Sequence, residues 1–171
     1  FQGITNTNNE WFEENNAFLA GKFCHVNNPI TASNDLDNTN LTLDLNNVNC
    51  GTGAVAPYPP EKISFVYPVT LDETSNSGPI ANCDYPSTSP CADAVTLGEA
   101  QARFTCFYSG DVQNTYTVAI MGFMDVSADG DCSDITYDPD LVEGIFISDE
   151  GTTNCGCLFA MVTESNPTAV E

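Results

Sequence analysis

Positively charged side chains are almost missing from this chain. Lys22, Lys62 and Arg103 are its only 3 cations against 24 Asp and Glu, and the formal net charge is −21. Proteins that bind nucleic acids or anionic membranes use basic patches to neutralise phosphates and lipid headgroups. The composition therefore argues against both partners. It favours divalent cations, saline surroundings or contacts between neutral polar surfaces.

Long apolar runs are missing too. A membrane-spanning helix needs about 20 consecutive apolar residues, whereas the longest apolar stretches here, TVAIMGFM and CLFAMV, have the length of a strand. We therefore expect no transmembrane segment. The chain starts at Phe1 rather than Met, as expected for a secreted protein whose signal segment has been removed, although a fragment boundary would give the same start.

The cysteines lack the C-x-x-C spacing of zinc ribbons, thioredoxin-like redox pairs and haem attachment sites. An even number of cysteines without metal spacing is typical of disulfides in an oxidising compartment, so we expect an extracellular or cell-surface protein. The chain has 8 cysteines, at Cys24, Cys50, Cys83, Cys91, Cys106, Cys132, Cys155 and Cys157.

Two of the spacings bear on how the cysteines pair. Cys83 and Cys91 flank the short loop CDYPSTSPC, which predicts a disulfide that pins this loop. Cys155 and Cys157 would lie about 6.5–7 Å apart on a strand, at the limit of disulfide geometry. They should therefore bond different partners, with Cys106 and Cys132 as candidates, and the remaining connectivity is left open.

Short runs rich in Phe, Tyr, Val, Ile and Thr alternate with Gly, Pro, Asn and Asp. This pattern predicts an all-β fold, an antiparallel, jelly-roll-like β-sandwich with long disulfide-pinned loops. The 7 predicted strands are 17–26, 40–45, 62–71, 102–109, 115–124, 143–148 and 156–163.

The segments between these runs give further expectations. SGDVQN (109–114) reads as a hairpin loop, and the stretch 73–99 reads as a long irregular loop. Residues 10–20 have a weak helical spacing. We expect residues 18–171 to form one sandwich domain, and residues 1–17 to be a donor strand or an arm that contacts a partner.

The chain has a single histidine, His25, directly after Cys24. A cysteine nucleophile needs a base or a cation beside its sulfur, but neighbouring residues of a strand point to opposite faces and cations are scarce. We therefore interpret His25 as a structural residue. No nucleophile–base pair or catalytic metal cluster stands out elsewhere in the chain, so we expect no enzyme activity, no haem and no nucleotide.

The most site-like motif is DVSADGDCSD (125–134), which follows the D-x-[DNS]-x-[DN]-G spacing of calcium loops. In such loops, oxygens at alternate positions converge on one hard cation and the glycine permits a sharp turn. The twelfth position is Thr136, where an EF-hand has a bidentate Glu. A solvated acidic turn is the alternative interpretation. The predicted calcium ligands are Asp125, Ser127, Asp129, Asp131 and Asp134.

Several segments, taken in order, resemble one known family. They are FLAGKFCHVNNPI, NLTLDL, ISFVYPVTLDETSN, CDYPSTSPCADAVTL, TYTVAIMGF and EGTTNCGCLFAMVT. They are similar to the bacterial exported THxN, or choice-of-anchor, β-domains, which often occur with a PEP-CTERM sorting tail. The resemblance covers most of residues 18–163. It implies an exported bacterial surface or matrix protein with a β-sandwich fold, and it implies no enzyme activity.

The resemblance also bears on the end of the first strand. In the family pattern this strand ends in Thr-His-x-Asn, and His25 and Asn27 match it. The match implies that these two residues bond loop backbone at a strand end. Cys24 stands where the pattern has threonine, which implies that a disulfide has been added at this position.

Two classes of function fit these observations. A structural subunit of an extracellular filament or matrix would use its Asn- and Thr-rich surface to contact copies of itself, with disulfides for durability. In that case the segment FQGITNTNNE would add as a strand to a neighbour's sheet. The alternative is a secreted adhesive module that binds a glycan or a cell surface, by analogy with other long-looped sandwiches.

Overall fold

The computed structural model describes residues 16–28, 38–46, 48, 50–51, 53–54, 62–74, 79–87, 91–98, 102–110, 112–126 and 130–165. Its strands are β1 (Ala17–Val26), β2 (Asn38–Asn46), β3 (Lys62–Asp72), β4 (Asp93–Leu97), β5 (Ala102–Phe107), β6 (Gln113–Val126), β7 (Ile145–Ser148) and β8 (Thr153–Ser165). Short 3-10 turns occur at Ile80–Asn82 and Cys132–Asp134. Within the described residues, no helix is long and apolar enough to span a membrane.

The strands form two four-stranded sheets, β1-β8-β6-β5 and β2-β3-β4-β7. All neighbouring strands run antiparallel. Residues from both sheets meet in shared apolar clusters. The predicted antiparallel β-sandwich is therefore confirmed.

The alternation along β3 explains why this segment forms a half-buried strand. Ile63, Phe65, Tyr67 and Val69 are buried, whereas the residues between them are exposed. Successive side chains of a strand point to opposite faces, so one face of β3 lies against the core and the other meets solvent. β8 is buried on both faces over six consecutive residues, because a further cluster covers the outer face of its sheet.

All seven predicted strands are present, and one more strand was not predicted. β4 lies inside the stretch 73–99, which the sequence indicated as a loop. It is only 5 residues long, and its first three residues are all buried, so it lacks the alternation that marks a half-buried strand. The helical turn that the weak spacing over 10–20 suggested is wrong for Ala17–Ala20, because these residues belong to β1. Residues 10–15 lie outside the described ranges.

Most of the core lies between the sheets, in two adjoining clusters. The first contains Phe23, Val69, Val95, Phe123, Phe146 and Leu158. The second contains Leu45, Ile63, Phe65, Tyr67, Val118 and Val162. The rings of Phe23 and Phe146 join the sheets edge to face, with centroids 5.1 Å apart. This geometry is favourable for aromatic pairs.

Four disulfides use all eight cysteines: Cys24–Cys155, Cys50–Cys106, Cys83–Cys91 and Cys132–Cys157. The predicted Cys83–Cys91 pair is confirmed, and Cys155 and Cys157 do bond different partners. Of the two candidates, Cys132 bonds Cys157, whereas Cys106 was wrong, because it bonds Cys50 while Cys24 bonds Cys155. The four disulfides are consistent with an extracellular protein. The domain division at residue 17 stays a prediction, because residues 1–15 lie outside the described ranges.

Candidate functional site

A layer of polar side chains lies between the two sheets, next to the first core cluster. Phe23 (β1) and Phe146 (β7) belong to that cluster, and side chains two residues apart on a strand share a face. Two residues beyond these positions lie His25 and Ser148. The strand register then pairs His25 with Asn154 and Ser148 with Asp93. We call this set the polar layer; it comprises His25, Asn27, Asp93, Ser148, Glu150 and Asn154.

Four members of the polar layer are removed from water almost completely. Asp93 and Ser148 are 0% exposed, Asn27 is 2% exposed and Glu150 is 6% exposed. Asp and Glu are rarely this buried unless they are paired, because an ionised carboxylate loses its hydration in the interior. The two carboxylates are therefore the most unusual groups in the described part of the chain.

Asn27 joins the end of β1 to the loop between β7 and β8. Its backbone N–H donates to the Thr152 carbonyl at 3.0 Å, and its side-chain Nδ2 donates to the Ser148 carbonyl, also at 3.0 Å. The Thr152 hydroxyl in turn donates to the side-chain oxygen of Asn154 at 2.7 Å. These bonds hold one end of the sandwich across both sheets.

Asp93 is held by only one of its two carboxylate oxygens. Its Oδ1 accepts from the backbone N–H of Thr74 at 2.8 Å and from the Thr74 hydroxyl at 3.2 Å. Its Oδ2 is buried without a hydrogen-bond partner. Thr74 therefore fixes the direction of the carboxylate and leaves the second oxygen available.

Both carboxylate oxygens of Glu150 are buried without a hydrogen-bond partner. Burial and the nearby charge of Asp93 raise the pKa of Glu150. The Asn27 amide and the Gly151 N–H lie close enough to oppose this rise, but neither reaches full hydrogen-bond geometry. Asp93 and Glu150 thus form a pair of like charges in a buried position.

His25 is the third titratable member of the polar layer. Its Nδ1 is buried without a partner. Burial lowers the pKa of His25, although the negative charge of Asp93 opposes this. Cys24, beside it, is bonded to Cys155, and no cysteine is free. A thiolate nucleophile next to His25 is therefore not available.

The predicted calcium loop is only partly described. Asp125 is exposed near the end of β6. Asp131 accepts a hydrogen bond from the Ser133 N–H at 3.0 Å, and this bond lowers the pKa of Asp131. Ser127, Asp129 and the side chain of Asp134 lie outside the described part of the chain. Calcium binding at this loop therefore stays a prediction.

The open edge of β3 is a second candidate site. β2 pairs with Lys62–Thr70, whereas β4 pairs only with Val69–Asp72. The next bond along that edge, from the Gly98 N–H to the Pro68 carbonyl, is 2.7 Å. Alternate residues of a strand direct their backbone groups to opposite sides. The backbone groups of Lys62, Ser64 and Val66 therefore face the side of β4 and have no strand partner among the described residues.

Comparison with known proteins adds no family assignment, because no protein-family model matches the chain and no curated protein is significantly similar to it. The polar layer and the β3 edge are therefore the two features of the molecule that bear on its function.

The sequence alone does not mark Asp93, Ser148 and Glu150 as site residues. Glu150 follows Asp149 and looks like one of many adjacent acid pairs in an acidic chain. The pattern that could have indicated them is the alternation along the chain: Phe146, Ser148 and Glu150 are two residues apart, and all three are buried. It becomes informative only once Phe146 is known to face the core.

Proposed function

We propose that this protein is a non-enzymatic extracellular structural subunit that assembles with copies of itself into a surface filament or matrix. The observation that carries the proposal is the edge of β3 beside β4, where Lys62, Ser64 and Val66 have no strand partner among the residues that the structure describes. A strand with unpaired backbone N–H and C=O groups is a template for pairing with another chain. An incoming strand that continued the line of β4 would complete this sheet.

The proposed occupant is the segment FQGITNTNNE of a second copy. The open edge runs from Lys62 to Tyr67, a length of about 20 Å in an extended strand. The segment has ten residues, no proline and a single charged side chain, Glu10. It can therefore donate and accept backbone hydrogen bonds along the whole edge, as in other cases of strand addition.

The side chains at the edge support this arrangement. Val66 is 53% exposed on the outer face of β3. The Lys62 charge is neutralised by Asp44, with a distance of 2.8 Å between Nζ and Oδ2. Charged residues on an edge strand normally discourage pairing. Here the one charged residue of the edge is already paired within its own chain.

The charge of the chain sets the conditions for assembly. Each copy carries a formal charge of −21, so copies repel one another at low ionic strength. Salt shortens the range of this repulsion to about 10 Å at 0.1 M. We therefore expect assembly at high salt or with divalent cations and separation into monomers at low salt.

Electron microscopy and light scattering of the full chain across a salt series test the proposal. We expect filaments or large assemblies at high salt, and their loss when residues 1–10 are deleted. A synthetic FQGITNTNNE peptide in excess should inhibit assembly of the intact chain, whereas a scrambled peptide should not. Val66→Pro, which removes an N–H from the open edge, should also block assembly, with Val66→Thr as the matched control.

Two outcomes would count against this function. A full-length protein that stays monomeric at every salt concentration would reject self-assembly. Assembly that persists without residues 1–10 would reject the proposed occupant of the β3 edge. Retention of the monomer on an immobilised polysaccharide would instead favour the adhesive module.

A further inference from the structure

The polar layer contains buried negative charge that the described part of the chain does not neutralise. Asp93 is 0% exposed and Glu150 is 6% exposed, and three of their four carboxylate oxygens have no hydrogen-bond partner. A buried carboxylate is stable only if it is paired with a cation, hydrogen-bonded or protonated. Some further group is therefore expected at this position.

No Lys or Arg of the described residues is among the groups that influence Glu150. Lys62 pairs with Asp44 on the outer face of β3. The Nζ of Lys22 donates to the carbonyl of Gly130. The influences on Glu150 come from burial, Asp93, Asn27 and Gly151, with no Lys or Arg among them. His25 is a poor counter-charge, because burial favours its neutral form.

We propose that Asp93 and Glu150 bind one divalent cation, Ca²⁺, between the two sheets of the sandwich. The proposed site lies in the interior of a single copy, so calcium binding there does not depend on assembly. It is a different place from the loop 125–134 that the sequence motif indicates.

The ligand chemistry favours Ca²⁺ over a transition metal. The unpartnered atoms at the site are the Asp93 Oδ2 and both carboxylate oxygens of Glu150. The described residues contain no group of three His, Cys, Asp or Glu side chains placed around one metal position. An ion held by these two carboxylates would therefore need neutral oxygens as its other ligands, whereas Zn²⁺ sites use three or four such side chains. Ca²⁺ accepts carboxylates together with neutral carbonyl oxygens and waters in variable geometry, whereas Mg²⁺ requires near-ideal octahedral geometry.

The surroundings of the two carboxylates suit a binding site. Two hydrogen bonds from Thr74 fix Asp93 through Oδ1 and leave Oδ2 available. Asn27 bonds the Ser148 and Thr152 carbonyls, which holds the chain on either side of Glu150. Supporting hydrogen bonds of this kind orient the groups that contact a metal. A bound cation would join β4 to the turn after β7 and stabilise this end of the sandwich.

The main alternative is a proton shared between the two carboxyl groups, as occurs when two acids are forced together. The two explanations differ in how the protein responds to charge removal. If a cation is bound, Asp93→Asn and Glu150→Gln abolish the response to Ca²⁺. If a proton is shared, neither variant changes any calcium response, and neutralising one acid stabilises the chelator-treated protein.

The test uses the full chain treated with chelator, then titrated with CaCl₂ by isothermal calorimetry and melted with and without Ca²⁺. We expect one ion per chain in the polar layer. At a free Ca²⁺ concentration 100 times the Kd, the melting temperature should rise by about 5–10 °C. Asp93→Asn and Glu150→Gln should each lose both signals, with folding checked by circular dichroism. Asp131→Asn, in the predicted calcium loop, should keep both signals.

Two outcomes overturn the proposal directly. If wild type neither binds Ca²⁺ nor gains stability from it, there is no cation site. If Asp131→Asn loses the response and Asp93→Asn keeps it, calcium binds at the loop 125–134 instead. If a polar-layer variant fails to fold, the number of Ca²⁺ ions bound by Asp131→Asn decides between the two sites. One ion per chain supports the polar layer, and zero ions per chain rejects it.

Discussion

Cys24 and Cys155 occupy directly opposed positions on β1 and β8 and are joined by a disulfide, with their Cα atoms 4.2 Å apart. His25, the next residue of β1, shares its face with Phe23 and belongs to the polar layer. The end of β1 is therefore held on both faces of its sheet. The Cys24–Cys155 disulfide fixes the strand end on the outer face of the sheet. The hydrogen bonds from Asn27 to the Ser148 and Thr152 carbonyls fix it on the inner face.

The Cys24–Cys155 disulfide should contribute more stability than Cys83–Cys91. The cysteines it joins are 131 positions apart in sequence, against 8 for the other pair. In the chain-entropy account, removing the long-range bond costs about 4–5 kcal/mol and removing the short one about 2.5 kcal/mol. We expect this order for C24A/C155A and C83A/C91A in urea unfolding. Equal losses would show that the strand end is held mainly by its hydrogen bonds.

Asn27 should be essential to the fold although it lies at a strand end. Asn27→Ala removes the Nδ2 bond to the Ser148 carbonyl and leaves that buried acceptor with one partner fewer. The expected cost is about 2–3 kcal/mol in the free energy of unfolding. Asn38→Ala is the matched control, because Asn38 is exposed and accepts a long 3.4 Å bond from Thr70. It should change stability by less than about 0.5 kcal/mol. A similar cost for both variants would contradict the role of Asn27.

The sequence was sufficient where the pattern is local. The alternation of β3 marks a half-buried strand by itself, and Cys83 and Cys91 are close enough in sequence to predict their bond. The Cys24–Cys155 bond follows only from the position of β1 beside β8, at the two ends of the described chain. No local pattern contains that information, because strand order is set by packing of the whole sheet.

The polar layer could not be predicted for a related reason. Asp93 and Ser148 are neighbours only through the pairing of β4 with β7. β4 itself is too short and too uniformly buried to be recognised. In a chain with 24 acidic residues, a buried carboxylate looks the same as an exposed one until the register of its strand is known.

Gly122 should not tolerate a side chain. Its φ of 134° is rarely adopted by other residues, and it lies at the register shift of β6. A Cβ at this position would collide with the Glu143 carbonyl oxygen, next to the 2.8 Å bonds that join Phe123 and Glu143. Gly122→Ala should therefore cost about 2–4 kcal/mol. Gly144→Ala meets no atom within 4 Å and should be nearly neutral in the same thermal melt. A neutral effect of Gly122→Ala would show that β6 is not tightly packed against Glu143 at this point.

Tyr108 should lose its proton later than an ordinary tyrosine. Its hydroxyl donates to the Cys50 carbonyl at 2.9 Å. The neighbouring Tyr116 hydroxyl, followed by burial, raises the pKa of Tyr108 to about 12. The folded protein therefore keeps this proton between the ordinary value of 10.0 and about 12, whereas the unfolded chain releases it. The stability from this group is complete below the ordinary value and is lost as the pH rises through that window. A phenolate absorbance titration of wild type minus Tyr108→Phe should show one step with its midpoint near 12. A difference spectrum with its midpoint at the ordinary value would mean that these bonds do not persist in solution.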